Sequence, residues 1–198
     1  MGTAFVERKQ VCVSSDTGST TPYFLFVGTV DKRKNINVVL NAIALAKKEG
    51  LEFKLYIAGR AAWGSQELNS KIEELAIHNN VKLLGYVDDK YMQELYFNAT
   101  GFLFPSIYEG FGMPVVEAMS AGCPVIASNN SAIPEAAGGA AILVNDYLSP
   151  ESWLIEMKRC TNLSTNERQE IVKYGARRVE ELSWSRVAEK ALRVIERL

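Results

Sequence analysis

The chain has 198 residues, 47% of them hydrophobic and 23% charged, which is enough for one well-buried domain. Its 22 Lys and Arg residues against 23 Asp and Glu residues leave a formal net charge of −1, so no global field favours binding to nucleic acid or an anionic bilayer. The three cysteines lack the paired spacing of a metal or redox motif. No apolar run approaches the roughly 18 residues of a transmembrane segment, and the N-terminus lacks the basic-then-apolar order of a signal peptide. We therefore expect a cytoplasmic chain.

Residues 1–22 differ in pattern from the rest of the chain. They show little apolar periodicity and include a Ser-, Thr- and Gly-rich run, so we interpret them as a mobile leader. From residue 23 to residue 198, short apolar runs alternate with segments whose apolar residues recur at helical spacing. The predicted strands span residues 23–27, 53–58, 81–84, 101–104, 123–127 and 140–144. This alternation predicts an α/β fold: one Rossmann-like, doubly wound parallel sheet of about six strands, with helices on both faces.

The segment after the fourth predicted strand combines two glycines with two carboxylates. It reads Glu109-Gly110-Phe111-Gly112-Met113-Pro114-Val115-Val116-Glu117 and opens onto a short helix that ends at Gly122. Glycines let a backbone pass close to a ligand, and the free N–H groups and positive dipole at a helix N-terminus favour a phosphate. Taken singly, Glu117 is also a residue that the helix dipole favours, and Glu109 is also an ordinary loop charge.

The spacing of the two carboxylates, with Gly-Phe-Gly-x-Pro between them, resembles a known signature. It is similar to that of glycosyltransferase family 4, the retaining, nucleotide-sugar-dependent enzymes with two Rossmann domains, and in particular to its group 1, mannosyltransferase-like members. The similarity continues through residues 118–128 and Ile133-Pro134-Glu135 and extends from about Tyr23 to Leu198. The resemblance implies that residues 23–198 are the donor-binding half of a GT-B fold, with a GDP- or UDP-linked sugar as the donor.

Three basic residues follow Gly28, which closes the first predicted strand. In an open parallel sheet, ligands bind outside the carboxyl ends of the strands, so Lys32, Arg33 and Lys34 are candidates for binding a diphosphate rather than ordinary solvated charges. The resemblance implies that Lys34 contacts the donor diphosphate. The family's arginine directly after the glycine is Thr29 here, and we take Arg33 to replace it.

The resemblance also places the nucleotide base close to the end of the third strand, near Val87. Asp88 or Asp89 could accept hydrogen bonds from guanine, but Asp88 is equally a natural cap for the next helix. Trp63, in the loop after the second strand, either walls the crevice or only covers the sheet. His78 is interpreted as a surface residue.

The resemblance implies separate roles for the two glutamates. Glu117 would bind the donor ribose, and Glu109 would contact the donor sugar beside its reacting carbon, either stabilising oxocarbenium-like charge or acting as a transient nucleophile. Backbone N–H groups of the glycine loop, residues 110–113, would stabilise the leaving diphosphate, so no metal and no cofactor are expected. The expected catalytic residues are Glu109, Arg33 and Lys34, and the expected donor-binding residues are Gly28, Val87, Asp88, Gly110, Phe111, Gly112, Met113 and Glu117.

Nothing before residue 23 is long enough to supply the family's acceptor-binding domain. We therefore expect an N-terminal acceptor domain or a partner chain, no nucleic-acid partner, and possible peripheral contact of the complete enzyme with the inner face of a membrane.

Two alternatives remain at this point: a stand-alone nucleotide-sugar binding or interaction module, and half of a nucleotide-sugar epimerase. Glu109 favours the transferase, because a pure binder has no need of a carboxylate at the reacting carbon.

Overall fold

The computed structural model describes residues 22–59 and 65–196, so Trp63 and nearly all of the predicted leader lie outside the described residues. The strands are β1 (Tyr23–Val27), β2 (Lys54–Ala58), β3 (Val81–Gly85), β4 (Gly101–Phe104), β5 (Val125–Ser128) and β6 (Ile142–Val144). The helices are α1 (Ile36–Lys48), α2 (Ser65–Glu74), α3 (Asp89–Asn98), α4 (Met113–Ser120), α5 (Ile133–Ala137), α6 (Pro150–Thr161), α7 (Thr165–Glu181) and α8 (Trp184–Ile195), and a short 3₁₀ helix, Lys32–Lys34, precedes α1.

The six strands form one parallel sheet in the order β3-β2-β1-β4-β5-β6. The chain moves outward from β1 to β3, crosses back to place β4 beside β1, and then moves outward again to β6. The loops that follow β1 and β4 therefore leave the sheet in opposite directions, and this point of reversal is where open α/β sheets bind their ligands.

Each of the central strands buries both of its faces, because helices cover both sides of the sheet. In β1, Phe24 and Phe26 pack with α1, α2 and α6, whereas Leu25 between them packs with α3, α4 and α5. All three side chains are fully buried, as is Trp153 of α6. This two-sided burial explains why these strands appear in the sequence as continuous apolar runs. The predicted doubly wound sheet is confirmed.

Glycines end the first three strands at a common level. The N–H of Gly28 donates to the carbonyl of Ala58 at 2.9 Å, and the N–H of Gly59 donates to that of Gly85 at 2.8 Å. Gly59 has a φ of +136°, and a Cβ there would lie 2.2 Å from the carbonyl oxygen of Gly28. Only glycine permits this approach, so the backbones that follow β1 and β2 lie in direct contact at the carboxyl edge of the sheet.

α4 and α5 are short helices. α4 begins at Met113, so Pro114 is its second residue, a position that needs no backbone N–H. The sequence does not predict α5 as a helix, because its five residues are too few to show a helical period and two are alanines. Ser149 caps α6, and Ser164 forms a capping box with Glu167 at the start of α7.

Candidate functional site

The loops after β1 and β4 meet in an ion pair at the point where the strand order reverses. The Nζ of Lys34 lies 2.7 Å from Oε1 of Glu109, and a guanidinium nitrogen of Arg33 lies 2.9 Å from the same oxygen. The side chains of Lys34 and Glu109 are only 10% and 11% exposed, whereas that of Arg33 is 45% exposed. The structure thus brings together the three residues predicted to be catalytic.

Short-range capping places Lys34. The carboxylate of Asp31 accepts a hydrogen bond from the backbone N–H of Lys34 at 3.0 Å and starts the 3₁₀ helix, and Asn35 ends it in the left-handed conformation. The stem of Lys34 then runs past Gly28, and its ammonium lies 4.8 Å from the centre of the Phe104 ring. A cation this buried needs an anionic partner, and Glu109 supplies it.

The electrostatics of Glu109 favour its ionised form. Partial burial acts to raise the pKa of the Glu109 carboxyl. The hydrogen bond from Lys34 and the charges of Lys34 and Arg33 outweigh that effect, with the nearby Ser106 hydroxyl acting in the same direction, and hold the pKa below its ordinary value. Glu109 is therefore a carboxylate at neutral pH and is suited to facing developing positive charge, not to donating a proton.

Arg33 also fixes the backbone just before Glu109. Its carbonyl accepts a hydrogen bond from the N–H of Ile107 at 2.8 Å, and its guanidinium donates to the carbonyl of Tyr108 at 3.1 Å. Residues 107 and 108 are thereby tied to the loop after β1. The position of Glu109 depends on this loop as well as on its own strand.

The loop after β5 holds the same segment from the other side. The side-chain amide of Asn130 donates to the carbonyl of Ile107, and the hydroxyl of Ser131 accepts from the N–H of Glu109 at 3.0 Å. The sequence indicates the polar run 128–131 only as the boundary of a strand. The signal that could have identified it is its place, directly after an apolar run at the carboxyl edge of the sheet.

The glycine loop lies beside the ion pair and carries exposed side chains. Gly112 has a φ of +96° and caps α4, and a Cβ at this position would touch Phe104 and Ala136 at 3.6 and 3.8 Å. The side chains of Phe111 and Met113 are exposed. In the first turn of α4, Pro114 has no N–H and the N–H of Val115 donates to the carbonyl of Gly112 at 2.9 Å. Binding of an anion by the other N–H groups at this end of the helix stays a prediction.

Glu117 lies in the second turn of α4 and is exposed. Its charge adds to the effect of burial in raising the pKa of the Tyr96 hydroxyl, which places the carboxylate near α3. Glu109 instead faces the loop after β1 through its ion pairs. The two glutamates therefore lie in separate surroundings, and their separate roles stay a prediction.

Val87 and Asp88 follow β3, two strands away from β1. The carboxylate of Asp88 accepts from the N–H of Tyr91 at 2.8 Å, so the capping interpretation of Asp88 is confirmed. Val87 is partly buried against the cluster under α3 and α4. Recognition of a nucleotide base by this loop stays a prediction. His78 is exposed, as expected.

Within residues 22–59 and 65–196, no group of three or more His, Cys, Asp or Glu side chains is placed to hold a metal ion. In the same part of the chain, no helix has the length and apolar character needed to cross a membrane. The groups gathered at the carboxyl edge are instead the cations of Lys34 and Arg33, the largely buried carboxylate of Glu109, the exposed carboxylate of Asp31 at 3.7 Å from Arg33, and backbone N–H groups. This set can bind an anion and place one negative charge beside it.

A doubly wound parallel sheet, with a glycine loop and a basic pair at its point of reversal, defines a Rossmann-like domain. Residues 10–178 match the family model described as Glycosyl transferases group 1. The chain belongs to this family.

Three known proteins illustrate the relationship. The O-antigen chain mannosyltransferase B of Escherichia coli is 38% identical over 124 residues, covering 62% of this chain and 32% of that protein. The phosphatidyl-myo-inositol mannosyltransferase of Mycobacterium leprae is 32% identical over 178 residues, covering 87% of this chain and 46% of that protein. The crystal structure of Anabaena HepE in complex with UDP and glucose superposes with a TM-score of 0.76 at 19% identity, covering 90% of this chain and 49% of HepE.

The structural likeness confirms the predicted fold, in which this sheet corresponds to about half of a GT-B glycosyltransferase. This chain spans between about a third and a half of the length of the three proteins. The ligands that those complete proteins bind and the sugars that they transfer are properties of those proteins.

Proposed function

We propose that this chain is the donor-binding domain of a retaining glycosyltransferase of family 4 that moves a sugar from a nucleoside-diphosphate sugar to a glycan or lipid-linked acceptor. Membership of the group 1 family supports sugar transfer. Two relatives named as mannosyltransferases and a structural neighbour holding UDP and glucose support a GDP- or UDP-linked donor.

The observation that carries the proposal is the cluster of Lys34, Arg33 and Glu109 at the reversal of strand order. Together with Lys32 and with Asp31, which pairs with Arg33, these side chains sum to one positive charge, which favours a diphosphate. In the proposed complex the diphosphate lies against Lys34, Arg33 and the N–H groups of residues 111–113. The sugar then lies beside Glu109, the ribose beside Glu117, and the base near Val87.

The proposed reaction breaks the bond between the anomeric carbon and the diphosphate oxygen, and the electron pair leaves on that oxygen. Lys34, Arg33 and the N–H groups stabilise the negative charge as it grows. The ionised Glu109 stabilises the positive charge on the sugar, or bonds to it transiently, until the acceptor hydroxyl forms the new bond to the anomeric carbon and passes its proton to the departing diphosphate oxygen. We expect this stabilisation to need no metal ion.

We further propose that an acceptor-binding domain, in the same protein or in a partner chain, completes the cleft. Its support is the length of the relatives, of which this chain covers about a third to a half. Holding acceptor and donor together can contribute about 7 to 11 kcal/mol, and one wall of a cleft neither holds the acceptor nor excludes water. The chain alone should therefore bind a donor without transferring its sugar. We also propose that the complete enzyme meets lipid-linked acceptors at the inner face of a membrane.

The test is calorimetric titration of the chain with GDP, UDP, ADP, GDP-mannose and UDP-glucose in the presence of a chelator. We expect binding of at least one nucleoside diphosphate and of the matching sugar nucleotide. Absence of heat with all five ligands would contradict the proposal. Sugar transfer by the chain alone at roughly 1 per second or faster, an ordinary enzymatic rate, would contradict the need for a second domain.

A further inference from the structure

Ser131, in the loop after β5, has a backbone conformation that is unfavourable for its residue type. Its φ is +50°, one of three positive values among the non-glycine residues of the described chain. A side chain with a Cβ is disfavoured in this left-handed region. Such residues persist where the surrounding structure requires them, and they cluster at functional sites. The conformation therefore calls for an interaction that depends on it.

That interaction is with Glu109. The Ser131 hydroxyl accepts the backbone N–H of Glu109 at 3.0 Å, while the amide of the preceding Asn130 donates to the carbonyl of Ile107. Two successive residues of the β5–α5 loop thus hold both ends of the segment 107–109. The ion pair with Lys34 fixes the carboxylate, and Ser131 fixes the backbone that carries it.

The β5–α5 loop is itself anchored. The guanidinium of Arg178 in α7 donates to the carbonyls of Glu135 and Ala136 at the end of α5, at 2.6 and 3.1 Å. Ala136 also lies beside Gly112, at the entrance to α4. α5 is therefore held at its C-terminal end by α7 and lies beside the glycine loop, and Ser131 comes two residues before its start.

We propose that Ser131 is a positioning residue that sets the Glu109 carboxylate against the donor sugar. This role rests on the proposed function, in which Glu109 contacts the sugar and the basic pair contacts the diphosphate. Ser131 bonds to the backbone of Glu109, whereas Arg33 and Lys34 bond to its carboxylate. Loss of the serine hydroxyl therefore weakens the contact with the sugar while the diphosphate contacts stay in place.

The experiment compares Ser131→Ala and Ser131→Gly with the wild-type chain by calorimetry. Each protein is titrated with GDP and GDP-mannose, and with UDP and UDP-glucose, and the ratio of the two affinities within each pair is taken. We expect both variants to lower the ratio for the matching pair by about 3-fold to 10-fold, as loss of one hydrogen bond implies, with the affinity for the nucleotide alone unchanged. Glycine accepts a positive φ without strain, so Ser131→Gly separates the hydroxyl from the backbone conformation.

Ser164→Ala is the matched control, because it removes a capping hydroxyl from α7, far from the carboxyl edge, and lowers stability without altering the ratio. A wild-type ratio in both variants would overturn the positioning role, as would an equal loss for nucleotide and sugar nucleotide. A wild-type chain that binds nucleotide but gains nothing from the sugar would also overturn it, while leaving nucleotide binding intact. A wild-type chain that binds none of the four ligands would instead overturn the proposed function, and the positioning role with it.

Discussion

The ammonium of Lys34 lies 2.7 Å from the carboxylate of Glu109, although 75 residues separate them in the chain. The strand order makes this contact, because the return of the chain from β3 to β4 places the loop after β4 beside the loop after β1. Both side chains are largely buried. The pair therefore joins the two halves of the sheet at the edge where a ligand would bind.

Replacing Lys34 tests the proposed diphosphate contact. We expect Lys34→Met to lower the affinity for the nucleoside diphosphate by about 10-fold or more, since a hydrogen bond to a charged group contributes roughly 1.5 to 3 kcal/mol. Lys158→Met, which removes a lysine paired with Glu49 on the surface of α6, is the control for the change in net charge. Calorimetry measures both variants, and equal affinities would show that Lys34 does not contact the diphosphate.

The lowered pKa of Glu109 predicts a dependence of stability on pH. Because the folded-state pKa lies below the ordinary value of 4.5, the ionised carboxylate stabilises the fold above about pH 4.5, and this contribution is lost as the pH falls through the folded-state pKa. The free energy of unfolding should therefore differ between wild type and Glu109→Gln by a constant amount from pH 7 to about pH 5. The difference should shrink below pH 4.5. Urea unfolding at each pH measures it, and a difference that grows in acid would have the wrong sign.

Gly59 tests the close backbone approach at the carboxyl edge. We expect Gly59→Ala to cost about 2 to 5 kcal/mol of stability, because its Cβ would meet the carbonyl of Gly28 at 2.2 Å and its φ is positive. Gly50→Ala is the control, since Gly50 also has a positive φ, but a methyl group there would meet no described residue within 4 Å other than its chain neighbours. It should cost only the backbone strain, about 1 to 2 kcal/mol. Equal losses in denaturant unfolding would mean that the Gly28 contact relaxes freely.

The sequence was sufficient to predict the sheet because successive side chains of a strand point to opposite faces. A continuous apolar run such as residues 102–104 is therefore stable only where both faces are covered. It was sufficient to find Glu109 and Glu117 because the whole motif is local. It did not reveal the contact of Lys34 with Glu109, which depends on strand order, nor the support from Ser131, whose hydroxyl acts through a backbone group. Side-chain bonds to a distant main chain, unlike local capping bonds, leave no spacing pattern in a sequence.

Removal of Glu117 and removal of Glu109 should change donor binding in different ways. We expect Glu117→Ala to weaken binding of nucleotide and sugar nucleotide alike, by roughly 1 to 3 kcal/mol, because the ribose hydroxyls would lose their acceptor. Glu109→Ala should reduce the gain in affinity that the sugar provides and should lower turnover in the complete enzyme. Calorimetry with each ligand pair measures the first effect, and identical binding profiles for the two variants would reject the separate roles.

The central claim is that the carboxyl edge between β1 and β4 binds the diphosphate of the donor. The direct measurement is an NMR titration of the chain with GDP and with UDP in the presence of a chelator, followed through assigned backbone amides. The account predicts shifts concentrated in residues 28–35 and 109–117, with smaller shifts at 85–89, and a need for higher nucleotide concentrations to produce them in Lys34→Met. Shifts centred on the cavity at the opposite edge, around Thr100 and Arg168, or no shifts with either nucleotide, would contradict it.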